Sequence, residues 1–138
     1  MADRRQVRVP RRRARETALA LLFSEEFGGS ASGWPASLAE HLSEEPPEYT
    51  LRIVEGVRSR RDEIDERIGA ASQHWRLERM SLIDRNVLRI GAWEILMSGE
   101  VDPAVAIDEA VEIARLYGDT DSPAFVNGVL DAVAKGRP

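Results

Sequence analysis

The chain has 138 residues, the size of one domain, and contains no cysteine, so disulfides, thiolate metal sites and cysteine nucleophiles are excluded. No stretch approaches the roughly 20 apolar residues that cross a bilayer, and we expect a cytoplasmic protein that does not bind membranes. The formal net charge of −5 is unevenly distributed, because residues 1–15 hold seven arginines and a single acid. The sequence therefore predicts a cationic arm on an anionic body.

The apolar spacing divides the chain into two parts. Residues 1–13 are predicted to form an arginine-rich flexible arm, and residues 14–138 a single all-helical domain. Strand signals are nearly missing, because alternating runs of β-branched residues do not occur in the body of the sequence. The fold class is therefore all-α.

Three helices are expected in the first part of the domain. The first has apolar residues at helical spacing and ends at Gly28. A short second helix is expected within 35–43. A long third helix is expected from 48 to about 71, and Gly56 weakens it locally by about 1 kcal/mol relative to alanine.

The remaining three helices have explicit start signals. Ser81 with Asp84 resembles a capping box at the fourth helix. Asp102-Pro103 and Ser122-Pro123 each place a polar residue before a proline, which is favoured at the first helical position. The last two helices end at glycines, Gly118 and Gly136. Six helices predict a compact bundle, packed as two three-helix halves.

Motifs for catalysis are missing from the sequence. The two histidines, His41 and His74, fit no metal-ligand spacing. Acidic residues such as Glu109 and Glu112 on the fifth helix are interpreted as a solvated face, with Arg115 in reach of Glu112. We therefore expect no enzyme, no cofactor and no metal, although a hydrolase or transferase with a carboxylate site at Glu109 or Glu112 is the more distant alternative.

The arginines at 11–15 are the clearest binding signal. The planar guanidinium group can grip a phosphate with two hydrogen bonds and can also stack on a base. Short arginine-rich segments commonly bind RNA in this way. The residues alone leave three other interpretations open: a solubilising tail, a peptide that docks on a partner protein, and a membrane-surface anchor.

Four segments of the chain resemble the NusB transcription antitermination factors. The resemblance runs in order from about residue 11 to residue 134, and the last segment is the most specific. The segments are Arg11-Arg12-Arg13-Ala14-Arg15-Glu16, Asp84-Arg85-Asn86-Val87-Leu88-Arg89-Ile90, Val105-Ala106-Ile107-Asp108-Glu109-Ala110 and Asp121-Ser122-Pro123-Ala124-Phe125-Val126-Asn127-Gly128-Val129-Leu130-Asp131.

This resemblance implies an all-α fold of two packed three-helix bundles and a function without catalysis. Members of the family bind the boxA element of ribosomal RNA transcripts as a single strand. They do so with ribosomal protein S10, and the pair helps to load the antitermination complex on RNA polymerase. A helical protein–protein adaptor without direct RNA binding is the alternative function.

The resemblance also assigns site residues. The RNA-binding residues it implies are Arg11, Arg12, Arg13, Arg15, Asp121, Ser122 and Phe125. The residues it implies for the S10 partner are Phe23, Glu78 and Asp84, and Asp84 is at the same time the helix-capping candidate. The family often has a lysine where this chain has Ala124, so one phosphate contact is expected to be missing. Asn127 and Gly128 are interpreted as structural, with a buried amide and a close helix approach.

Overall fold

A computed structural model describes residues 10–28, 34–43, 45–73 and 75–136. Within these ranges the chain forms seven α-helices and no β-strand, which confirms the all-α prediction. The arm arginines Arg4, Arg5 and Arg8, and also His74, lie outside the described residues. None of the described helices has both the length and the apolar character needed to cross a membrane.

The helices are joined by short connections. Two 3₁₀ turns, Glu40–Ser43 and Leu77–Arg79, and one π-helical turn, Glu94–Ser98, lie between them. In chain order the helices are α1 (Arg11–Phe27), α2 (Ala36–Ala39), α3 (Glu48–Ser59), α4 (Arg61–Ser72), α5 (Leu82–Trp93), α6 (Pro103–Tyr117) and α7 (Ser122–Lys135).

The predicted starts of α5 and α6 are confirmed. The Ser81 hydroxyl accepts a hydrogen bond of 3.0 Å from the Asp84 amide, as expected for a helix cap. The Asp102 carboxylate accepts one of 2.9 Å from the Ala104 amide, and Pro103 is the first residue of α6. These local signals fix the start of each helix independently of the tertiary fold.

The single third helix that we predicted is wrong, because the chain forms two helices there. Arg60 leaves helical geometry with φ −122° and ψ 26° and separates α3 from α4. Its amide still donates to Gly56 and its carbonyl still accepts from Ile64, so the backbone is satisfied through the kink. The first half of the protein is therefore α1–α3, and the second half has four helices, α4–α7.

The predicted boundary of the arm at residue 13 also differs from the structure. Helix α1 begins at Arg11, directly after Pro10, and the Ala14 amide donates to the Pro10 carbonyl at 3.1 Å. Arg11, Arg12 and Arg13 are therefore helical residues with exposed side chains. Their positions are fixed by the helix.

Helix α5 lies at the centre of the core. Nine of its residues are buried, and it packs on α1, α3, α4, α6 and α7. Helices α1 and α5 are antiparallel, since Arg15 pairs with Glu94 just after α5 while Glu26 pairs with Asn86 near its start. This arrangement places the start of α1 beside α6 and the start of α5 beside the start of α7.

Candidate nucleic-acid interface

The first arginines of α1 are paired with carboxylates of the second half of the protein. The Arg11 guanidinium donates to Glu100 at 3.1 Å and lies 4.2 Å above the centre of the Tyr49 ring. Arg12 forms a two-pronged ion pair with Glu109 on α6. The hydrogen bond from Arg12 lowers the pKa of the Glu109 carboxyl, with burial acting in the opposite direction. Arg11, Arg12 and Arg13 remain exposed to solvent.

Arg15 is placed differently from the other three arginines. It is 4% exposed, and its Nε lies 3.0 and 2.9 Å from the two carboxylate oxygens of Glu94. The Tyr49 hydroxyl donates to the same carboxylate, and burial followed by this hydrogen bond raises the pKa of Tyr49 to about 12. The Arg15 guanidinium is thus committed to a buried network, and an RNA contact through it would require that network to open.

The start of α7 borders an open groove of about 610 Å³. Phe125 is half-buried on one wall, and Asp121 is exposed at the rim. Three aspartates line the groove, namely Asp84, Asp119 and Asp121, with Arg79 as the one base. Carboxylates accept hydrogen bonds and repel phosphates, so the groove suits a donor-bearing group such as a base amino group.

Ser122 supports the loop before α7 and does not reach the surface. It is 1% exposed, its hydroxyl accepts from the Asp119 amide at 2.9 Å, and its own amide donates to the Asp119 carbonyl at 3.0 Å. Helix α7 begins at Ser122 with Pro123 in its first turn, as predicted, but neither Asp121 nor Ser122 caps the helix with its side chain. The closed loop holds Asp121 outward at the groove.

The three residues assigned to a protein partner lie in different environments. Glu78 is exposed on the 3₁₀ turn before α5. Phe23 is 5% exposed and stacks on Phe27 with ring centroids 5.3 Å apart, so Phe27, at 43% exposure, is the ring that a partner could touch. The capping bond at Asp84 is made by its backbone amide, which donates to the Ser81 hydroxyl. Burial raises the pKa of the Asp84 carboxyl, and one of its oxygens is buried without a hydrogen-bond partner.

The arginine cluster and the start of α7 are connected by α6. Arg12 pairs with Glu109 in the middle of this helix, and the helix ends at Tyr117, four residues before Asp121. The eight residues from Glu109 to Tyr117 span about 12 Å at 1.5 Å per residue. The Tyr117 hydroxyl also lies 3.1 Å from Glu16, one turn beyond Arg12 on α1. One short strand could therefore contact both regions.

Two expectations about the last helix need correction. Asn127 and Gly128 are both exposed, and a Cβ added to Gly128 would meet no atom within 4 Å. They do not form a buried amide and a close helix approach. The close approaches are at Gly56 and Gly91, where an added Cβ would lie 2.1 Å from Trp93 and 2.5 Å from Leu130.

Two further residues belong to these regions and were not predicted from the sequence, Trp75 and Arg52. Trp75 is 54% exposed and contacts Phe125. Arg52 joins Arg11 on the carboxylate of Glu100. In the sequence, Trp75 lies outside any run of apolar residues at helical spacing, and this could have identified it. The pairing of Arg52 depends on how α3 packs, which the sequence does not show.

The described residues contain no group of three or more histidine and acidic side chains suited to a metal ion.

Comparisons with known proteins identify one family. The sequence model of the NusB family matches residues 12–135. The chain is 50% identical over 126 residues to the transcription antitermination protein NusB of Sorangium cellulosum, covering 88% of this chain and 89% of that protein. It is 45% identical over 130 residues to the NusB protein of Bdellovibrio bacteriovorus, covering 92% and 96% of the two chains.

Solved structures give the same result for the fold. A structure of NusB from T. maritima superposes with a TM-score of 0.79 at 36% identity, covering 95% of this chain and 94% of that chain. A crystal structure of the antitermination factors NusB and NusE in complex with double-stranded RNA superposes with a TM-score of 0.74 at 25% identity, covering 92% and 97%.

Proposed function

Since the chain belongs to the NusB family of transcription antitermination proteins and is not an enzyme, we propose that it binds single-stranded boxA-type RNA of ribosomal RNA transcripts together with ribosomal protein S10. The pair would help to load the antitermination complex on RNA polymerase, in the cytoplasm. The observation that carries this proposal is the placement of exposed arginines at the start of α1 within reach of the acceptor-lined groove at the start of α7.

Arg11, Arg12 and Arg13 supply the phosphate contacts in this proposal. Their side chains are exposed on the first turn of α1, with Arg11 and Arg12 in ion pairs with Glu100 and Glu109. The guanidinium of Arg12 already binds a carboxylate with two prongs, and a phosphate presents the same geometry to it. Arg15 contributes through its buried ion pair with Glu94, which fixes the position of α1.

Asp121 and Phe125 supply the base contacts. The exposed carboxylate of Asp121 accepts from a base amino group, and the half-buried ring of Phe125 offers a stacking surface worth roughly 1–3 kcal/mol per base. The acids of the groove repel phosphates, so the strand turns its bases inward there. Ser122 contributes by closing the loop that carries Asp121.

Glu78, Asp84 and the ring pair Phe23–Phe27 form the surface that we assign to S10. The exposed carboxylate of Glu78 suits a basic ribosomal protein, Asp84 is partly buried beside it, and Phe27 adds an exposed apolar ring at 43%. The occurrence of NusB with NusE and RNA in one of the similar structures supports an assembly of two proteins with RNA. Because that RNA is double-stranded, single- and double-stranded probes must be compared for this chain.

The salt dependence of RNA binding tests the phosphate contacts. We expect the logarithm of the affinity for single-stranded boxA RNA to fall with the logarithm of salt concentration, with a slope near −0.7 per phosphate contact. The double variant Arg12→Ala/Arg13→Ala should flatten that slope by at most about 1.4, because Arg12 gives up its ion pair with Glu109 when it takes a phosphate. Fluorescence anisotropy at several salt concentrations measures it, with and without S10.

Arg60→Ala is the matched control, since Arg60 is an exposed arginine paired with Glu63 at the α3–α4 junction. It should leave the slope unchanged. An unaltered slope in the Arg12→Ala/Arg13→Ala variant would remove the arginines from the interface. Binding of S10 with no measurable affinity for RNA would instead favour the adaptor function.

A further inference from the structure

Trp75 has an unusual position for a tryptophan. At 54% exposure it is the most exposed aromatic side chain among the described residues, whereas Trp34 and Trp93 are each 8% exposed. Its ring meets Phe125 edge to face, with centroids 6.5 Å apart and planes at 79°. An indole that served only the core would bury its apolar surface, so the exposed face is available for a flat ligand.

Hydrogen bonds to the end of α4 anchor the backbone of Trp75. Gln73 has φ +43°, a left-handed conformation that non-glycine residues rarely adopt and that concentrates at functional sites. The Ser72 hydroxyl donates to the Trp75 carbonyl at 2.7 Å, and the Trp75 amide donates to the Ser72 carbonyl at 3.2 Å. Ser72 therefore holds both the amide and the carbonyl of Trp75.

The Trp75–Phe125 pair separates two grooves. The first is the acidic groove at the start of α7. The second, of about 320 Å³, lies between the end of α4 and α7 and is lined by small, uncharged residues on both helices, including Ala71, Ala124 and Gly128. The open space beside Gly128 belongs to this groove, because an added Cβ would meet no atom there within 4 Å.

We infer that the Trp75–Phe125 pair is a stacking ridge for two consecutive unpaired bases of the bound RNA, one in the acidic groove and one in the second groove. This inference rests on the proposed RNA binding and extends the path of the strand beyond α7 to the end of α4. Aromatic rings stack on any base, so the ridge adds affinity without selecting a sequence. Carboxylates line only the first groove, so only the base that lies there is selected by its hydrogen-bond donors. The base in the uncharged second groove is held by stacking.

Variants of Trp75 test the ridge directly. Trp75→Ala should weaken binding of single-stranded boxA RNA roughly 5- to 150-fold, the equivalent of losing one stacked base. Trp75→Phe keeps a flat ring and should restore binding to within a few-fold of the original. In the unmodified protein, RNA should quench tryptophan fluorescence, and Trp75→Phe should abolish the quenching because Trp34 and Trp93 are buried.

Filling the second groove provides an independent test. Gly128→Leu should weaken binding, whereas Ala132→Leu, an exposed position one turn further along α7 and outside the groove, should not. Equal affinities of Trp75→Ala, Trp75→Phe and the unmodified protein, without quenching, would overturn the ridge. If Arg12→Ala/Arg13→Ala still reduces affinity in that case, RNA binding itself stands. A chain that binds no RNA overturns both proposals.

Discussion

Arg15 shows how one arginine of a binding motif can serve the fold. Its guanidinium is buried on Glu94, and the Tyr49 hydroxyl donates to the same carboxylate. A buried ion pair has a net contribution near zero when complete, but the loss of one partner leaves an uncompensated charge in the core. The network therefore ties α1, α3 and the end of α5 together only while all members are present.

Arg15→Ala should lower the free energy of unfolding by about 3–5 kcal/mol, because Glu94 would remain buried without its partner. Arg115→Ala, at an exposed arginine paired with Glu112 on its own helix α6, should change it by no more than about 0.5 kcal/mol. Urea denaturation followed by circular dichroism measures both. Equal urea midpoints for the two variants would show that the Arg15–Glu94 pair does not hold the core.

The residue types of the candidate site could be read from the sequence, but their environments could not. The resemblance placed arginines 11–13 and Phe125 at an interface, and the structure leaves all of them at least partly exposed. It also named Arg15 and Ser122, which are 4% and 1% exposed. Their burial depends on Glu94 and Asp119, and no pattern near either residue in the sequence shows that pairing.

At the scale of the helices, the glycines divide into two kinds. Gly56 on α3 faces the rigid Trp93 ring so closely that no side chain fits between them, and Gly91 on α5 lies against the end of the Leu130 side chain. Gly128 on α7 faces open space. The same residue type thus marks helix packing in two places and a surface groove in the third.

Gly56→Ala and Gly128→Ala should shift stability in opposite directions. Alanine favours a helix over glycine by about 1 kcal/mol, so Gly128→Ala should raise the free energy of unfolding by up to that amount. At Gly56 the added methyl group meets a rigid indole, and overpacking should outweigh the helix preference, for a net loss of about 1–2 kcal/mol. Urea denaturation measures the free energy of unfolding of the two variants. A Gly56→Ala variant that is more stable than the original protein would contradict the packing of α3 on Trp93.

Helix ends were more predictable than helix continuity. Caps and prolines act through the next few residues, and the starts of α5 and α6 were correctly predicted from Ser81 and Asp102. The kink at Arg60 arises because α3 packs on α1 while α4 packs on α5 and α7. The sequence from 48 to 71 keeps helical spacing across the kink, so periodicity alone could not reveal it.

At the scale of the whole molecule, Glu26 joins both halves. This carboxylate at the end of α1 accepts hydrogen bonds from Arg85 at 3.2 Å and Asn86 at 2.8 Å on α5. It also pairs with Arg61 on α4 and with Arg89, which in turn grips Asp65 on α4. Burial alone would raise the pKa of Glu26, but the hydrogen bonds and positive charges outweigh it and lower the pKa to about 2.

This cluster predicts a pH dependence of stability. The folded-state pKa of Glu26, about 2, is below its ordinary value of 4.5, so folding favours the charged form. The stabilisation should be complete above pH 4.5 and should be lost as the pH falls from 4.5 through 2. Glu26→Gln should flatten the pH dependence of the urea midpoint in that window. Glu63→Gln, at an exposed acid paired only locally with Arg60, should leave it unchanged.

The pairing of Arg11 with Glu100 and of Arg12 with Glu109 makes RNA binding an exchange of one anion for another. Each phosphate that takes an arginine releases a carboxylate into water, and that carboxylate attracts a cation of its own. The number of salt ions liberated is then smaller than the number of phosphates contacted, and the affinity is moderated by the acids that the protein already carries. A surface built in this way discriminates against weakly charged ligands, because only a dense polyanion can compete with an acid held in place by the fold.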